Sequence, residues 1–100
     1  LDAEFVGHSD FATQEELAER FHISDRHFSR LMQQYYGMSY TEKVNEVRCG
    51  FASEMLENSD ATIAEVCVKS GFQSYAYFGR VFKRLTGMSP SEYRKAKRNK

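Results

Sequence analysis

The stretch GFQSYAYFGRVFKRLTGMSP, from Gly71 to Pro90, reads as one helix with a turn before it and a turn after it. Phe78, Val81, Phe82 and Leu85 recur at i, i+3, i+4 and i+7, the spacing that gathers side chains on one stripe of an α-helix facing a core. Ala76, Gly79, Arg80 and Lys83 repeat that spacing on a second stripe, where small residues are flanked by cations. A helix with these two faces can pack on its own domain while presenting the other side to an anionic partner.

Working outward, helix starts and stops recur along the chain. Thr13 with Glu16, Ser39 with Glu42, Thr62 with Glu65 and Ser89 with Glu92 fit the capping box, in which a hydroxyl accepts from an orphan helix N–H and the glutamate reaches back. Ser24 and Ser74 are further N-cap candidates. Gly37 and Gly87 stand where a left-handed residue closes a helix, and Gly71 where a turn needs positive φ. These signals predict helices near residues 3–9, 13–21, 24–36, 40–58, 62–70, 74–86 and 90–98. No stretch alternates like a strand, so the expected class is all-α with about seven helices.

An internal repeat organises those helices. Phe28-Ser29-Arg30 answers Phe78-Gly79-Arg80, and Gly37-Met38-Ser39 with Glu42 answers Gly87-Met88-Ser89 with Glu92. Each copy holds a short helix, a tight turn and a longer helix, the order of a helix-turn-helix unit. In the first copy Phe28, Leu31, Met32 and Tyr35 form the apolar stripe, and Arg26, Ser29, Arg30 and Gln33 the exposed one. Leu17 and Ala18 match Val66 and Cys67, so Cys67 stands in for a small residue that lets two helices approach. Residues 39–59 read as a linker helix with Val44, Val47, Phe51 and Met55 along one side, about 30 Å long at the α-helical rise. The predicted division is a first helix-turn-helix subdomain over 1–38, the linker over 39–59 and a second subdomain over 60–100.

Composition bounds the function. One hundred residues support a single small domain and too little scaffold for most catalytic folds. No nucleophile sits with a base, no paired carboxylates mark a cleft and no phosphate loop is present, so no enzyme is expected. Cys49 and Cys67 lie in no CxxC pattern and read as buried free thiols, and His8, His22 and His27 lack partners at ligand spacing, so neither metal nor cofactor is expected. No apolar run is long enough for a bilayer and no secretory signal is apparent, which predicts a cytoplasmic protein. Beginning at Leu1, the chain reads as a piece of something longer.

The formal net charge is zero, yet its distribution is uneven. Residues 1–19 carry Asp2, Glu4, Asp10, Glu15, Glu16 and Glu19 without a single Lys or Arg. From Val66 onward, Lys69, Arg80, Lys83, Arg84, Arg94, Lys95, Lys97, Arg98 and Lys100 face only Glu92. That asymmetry makes the second half a polyanion-facing surface, or its last residues a solvated tail.

Cationic stripes on helices of helix-turn-helix order match the chemistry of double-stranded DNA. A major groove admits one α-helix, and an Arg reads guanine by donating to O6 and N7 together, worth about 1–3 kcal/mol of discrimination. Arg30 and Arg80 are the leading base-contact candidates. Arg26, Ser29 and Gln33 join them in the first head, and Tyr75, Ala76 and Gly79 in the second. The alternative for Arg30 and Arg80 is a surface ion pair, for example with Asp25 or Glu65. Gly79 costs a helix roughly 1 kcal/mol relative to Ala, which close approach to DNA explains and drift at a tolerant site explains equally. Phosphate contacts are expected from Ser24 and Ser74 at helix N-termini and from Lys83, Arg84, Arg94 and Lys95.

With these residues assembled, the chain resembles the DNA-binding domain of AraC/XylS-type bacterial transcription regulators. The resemblance covers nearly everything from Ala12 to Arg94, and its most specific part is GFQSYAYFGRVFKRLTGMSPSEYR, Gly71 to Arg94. It implies two helix-turn-helix units joined by a long helix, with both recognition helices in successive major grooves of promoter DNA. It also implies transcription activation through RNA polymerase and an N-terminal effector-binding or dimerisation domain outside this chain. Gly79, where a small hydroxyl-bearing residue is more usual, and Cys67, where Ala is usual, depart from the pattern. The competing reading is a helical protein-interaction module without direct DNA binding, which zero net charge allows and the repeated cationic stripes oppose.

Overall fold

Helix ends are set by the capping chemistry, as the computed structural model shows for residues 12–98, the residues described throughout. Six helices lie in this range: α1 Gln14–Arg20, α2 Asp25–Tyr36, α3 Tyr40–Asn58, α4 Ile63–Lys69, α5 Tyr75–Thr86 and α6 Pro90–Arg98. Among the described residues every regular element is helical, and the helix expected near 3–9 lies outside them. The Thr13, Ser24, Thr62 and Ser74 hydroxyls each accept from the backbone N–H of the third residue of their helix. Thr62 with Glu65, Ser39 with Glu42 and Ser89 with Glu92 form both bonds of the capping box. Gly37 (φ 69°) and Gly87 (φ 83°) close α2 and α5 in the left-handed conformation.

The chain divides into two compact units within α3, between Asn45 and Glu46. In the first unit α1 and α2 bury Leu17, Ala18, Phe28 and Met32, joined by Tyr40 and Val44 from the start of α3. The Tyr40 ring meets Phe28 edge-on at 5.7 Å, while its hydroxyl donates to the Ala12 carbonyl. That pairing satisfies the polar end of an otherwise buried aromatic residue.

The second unit packs Cys49, Ala52 and Leu56 of α3 with Val66, Cys67, Phe72, Phe78, Val81 and Phe82. Its aromatic rings run in sequence, Phe72 to Phe78 at 5.0 Å, Phe78 to Phe82 at 5.7 Å and Phe82 to Tyr93 at 5.3 Å. Each fully buried Phe is worth about 1.5–3 kcal/mol of apolar transfer. The last helix is tied to the C-terminal end of α3: Tyr93 donates to Glu57 at 2.7 Å, and Arg94 donates to the carbonyls of Leu56 and Ser59, both at 3.2 Å. Arg98 reaches the Ser59 carbonyl and pairs with Asp60 at 2.9 Å. Two guanidinium groups thus sit on the carbonyl end of α3, where the helix dipole favours positive charge.

Both helix-turn-helix turns are built by the same three backbone bonds. Phe21 donates to Leu17, His22 to Glu19 and Ile23 to Ala18; in the second unit Ser70 donates to Val66, Gly71 to Val68 and Phe72 to Cys67. This is the Schellman pattern, which places a left-handed residue just past the helix. Gly71 fills that position at φ 93°, and its counterpart is His22 at φ 57°. The turns then diverge: Ser24 follows Ile23 directly, whereas Gln73 intervenes between Phe72 and Ser74.

Expectations for two sets of apolar positions are corrected. Tyr35 and Leu85, at the ends of the apolar stripes, are 67% and 46% exposed. The seven-residue helices α1 and α4 span about 10 Å, too short to cover twelve-residue partners of about 18 Å. Val47, Phe51 and Met55 are only half-buried, because α3 contributes Tyr40 and Val44 to one core and Cys49, Ala52 and Leu56 to another. Cys49 and Cys67 are buried free thiols, as expected. Burial pushes the Cys49 thiol up to about 11 against the pull of the Arg84 cation, and raises Cys67 likewise, so neither is a ready nucleophile.

Candidate nucleic-acid interface

The longer helix of each unit presents its second stripe outward because the first is taken up by the core. On α2, Phe28 and Met32 are buried, and Arg26, Ser29, Arg30 and Gln33 are all exposed. The Ser29 hydroxyl accepts from the Gln14 amide at 3.1 Å, so α1 steadies this side chain while its O–H remains able to donate. Among the described residues no carboxylate pairs with Arg30. Ser24 caps α2 by accepting from the His27 N–H at 3.1 Å.

On α5, Phe78, Val81 and Phe82 are buried, while Tyr75, Ala76, Arg80, Lys83 and Arg84 are exposed and Gly79 is half-buried. A Cβ built on Gly79 meets nothing within 4 Å, so no packing within the domain demands glycine there. Arg80 lies over the Tyr77 ring, 6.0 Å from its centroid. Ser74 caps the helix by accepting from the Tyr77 N–H at 3.1 Å.

The two helices differ in charge placement. The first turn of α2 carries Asp25 and its last turn no cation, whereas α5 has no acid in its first turn and Lys83 and Arg84 in its last. A helix N-terminus attracts anions through its free N–H groups and dipole, and a carboxylate in the first turn offsets that attraction. The N-terminus of α5 is thus the more favourable of the two for an anion, and α2 exposes the richer set of hydrogen-bonding side chains on its second stripe.

From α6, Lys95 is exposed. Arg94 is half-buried with its guanidinium on the Leu56 and Ser59 carbonyls, a long-range contact with no signal in local sequence. Tyr77 is the residue that reasoning from sequence passed over, although its spacing of three residues before Arg80 marks it as a neighbour on the helix surface. Among the described residues no group of three His, Cys, Asp or Glu is placed to hold a metal ion, and no helix is long and apolar enough to cross a membrane.

Two helix-turn-helix units with outward polar and cationic second helices define a class, the DNA-binding domain of a transcription regulator. A family described as a helix-turn-helix domain matches residues 17–96. The uncharacterized HTH-type transcriptional regulator YfiF of Bacillus subtilis is 40% identical over 79 residues, 79% of this chain and 25% of YfiF. Regulatory protein PocR of Salmonella typhimurium is 34% identical over 86 residues, 86% of this chain and 28% of PocR. The chain therefore spans about a quarter of the length of these curated relatives. Among solved structures, the DNA-binding domain of AdpA, in complex with a target DNA, superposes with a TM-score of 0.88 at 30% identity, covering 97% of this chain and 87% of that one. The C-terminal domain of AraT, a response regulator from Geobacillus stearothermophilus, gives 0.79 at 31% identity, covering 89% and 73%. The chain belongs to the helix-turn-helix family of AraC-type DNA-binding domains, a family of transcription regulators and not an enzyme class.

Proposed function

We propose that this domain binds duplex promoter DNA with α2 and α5 each lying in a major groove, the grooves being successive ones on a single face. The observation that carries the reading is the duplicated second stripe, exposed on both helices and cationic at the matched residues Arg30 and Arg80. The likeness to the AdpA domain, itself solved with a target DNA, supports it. Arg26, Ser29, Arg30 and Gln33 read bases in the first head. In the second, Arg80 is the main reader, with Tyr75, Ala76 and Gly79 lying against the groove.

Ser24 and Ser74, with the helix N-termini behind them, and Lys83, Arg84 and Lys95 take phosphates. Arg94 acts within the domain, on the end of α3. Activation of transcription, contact with RNA polymerase, a cytoplasmic location and a separate effector-binding or dimerisation domain complete the proposal, on the strength of the family alone. The test is affinity for labelled duplex DNA across a salt series. Three phosphate-bound cations predict a slope of log K on log salt near −3, at about −0.9 per contact. Lys95→Ala is expected to weaken every sequence alike and reduce that slope by about one. Binding to no duplex, or binding indifferent to salt, would favour the protein-interaction module instead.

A further inference from the structure

We propose that Tyr77 is a positioning residue for Arg80, its ring holding the guanidinium in the orientation that base contact requires; this rests on the DNA-binding reading above. The Arg80 guanidinium carbon lies 6.0 Å from the Tyr77 ring centroid, within the range over which a ring face attracts a cation. The platform is itself anchored. Tyr77 lies 6.2 Å from the ring of Phe72, which is 3% exposed and stands 5.0 Å from Phe78. Helical side chains lean toward the N-terminus, so an arginine passing over a ring three residues earlier is directed at the N-terminal end of α5. In helix-turn-helix docking that is the end whose side chains meet base edges.

The second head depends on this more than the first. Ala76 and Gly79 bring no hydrogen-bonding side chain to its stripe, which leaves Arg80 as the one guanidinium among the base-contact candidates of α5. On α2, reading is shared among Arg26, Ser29, Arg30 and Gln33, and the slot three residues before Arg30 holds His27. A flexible arginine ordered before it meets DNA loses less rotamer freedom on binding, so the platform adds discrimination at one base without a contact of its own.

The experiment exposes the whole chain to a random pool of duplexes and reads base preferences by sequencing, alongside thermal unfolding. Arg80→Ala identifies the guanine position that depends on Arg80. Tyr77→Leu, which keeps an apolar contact with Phe72 but removes the ring face, is expected to weaken that preference about 2–5-fold. Tyr77→Ala should do the same, and Tyr77→Phe should retain it. In the Arg80→Ala background, Tyr77→Leu should change nothing further. The proposal is overturned if Tyr77→Leu leaves the guanine preference intact, or lowers affinity for all sequences equally in both backgrounds. Failure of the unaltered chain to show salt-dependent binding would instead sink the DNA-binding reading.

Discussion

His22 occupies a backbone conformation that glycine adopts freely and other residues adopt at a cost of about 1–2 kcal/mol. The Schellman bonds around it demand that conformation, because they recur at Gly71 in the second turn. His22→Gly is therefore expected to stabilise the domain by roughly 0.5–1 kcal/mol, the relief being partly offset by a more flexible unfolded chain. Thermal denaturation should show a rise of a few degrees, and an unchanged or lower midpoint would contradict the assignment of strain. The sequence marks Gly37, Gly71 and Gly87 as left-handed residues because glycine advertises that role. It conceals His22, whose requirement emerges only when the first turn is aligned on the second. Tyr77 was hidden differently: spacing places it beside Arg80, but the anchoring of its ring on Phe72 depends on packing that no local pattern encodes.

Capping and clamping decide how firmly the second unit's helices are held. The Thr62 backbone N–H, and then its side chain, hold Glu65 below the usual carboxylate range; Ser89 does the same for Glu92. A depressed folded value means stability that is present above the ordinary value of 4.5 and lost as pH falls through the folded one. A pH series of melting temperatures should fall on the acid side for the unaltered domain and flatten there in the E65Q/E92Q double variant. The clamp from α6 makes a separate claim. Arg94→Met removes two charge-assisted bonds to the end of α3 and is expected to cost about 1.5–3 kcal/mol, with the slope of DNA affinity on salt unchanged. A shallower salt slope would restore Arg94 to the phosphate contacts. Local signals made the helix boundaries readable to within a residue or two. They left the burial of α3 unreadable, because a helix that supplies two cores shows no single apolar face.

Across the whole molecule the two heads carry different chemistry on one scaffold. If each reads its own groove, Arg30→Ala and Arg80→Ala should each erase a preference worth about 1–3 kcal/mol, at positions roughly one helical turn of DNA apart. Sequencing of selected duplexes measures both at once, and loss at the same base pair would rule out two separate heads. The family and the helix-turn-helix order were readable because they lie in repeated motifs, whereas the roles of Arg94 and Arg98 arise from contacts nearly forty positions apart. The matched turns carry one more consequence. The same three main-chain bonds form around Phe21-His22-Ile23 and Ser70-Gly71-Phe72 although the side chains differ, so the turn is written in backbone and its lettering in side chains. If the outward residues of α2 and α5 read DNA as proposed, the domain is a cassette: exchanging them should retarget it with the hinge between each pair of helices left untouched.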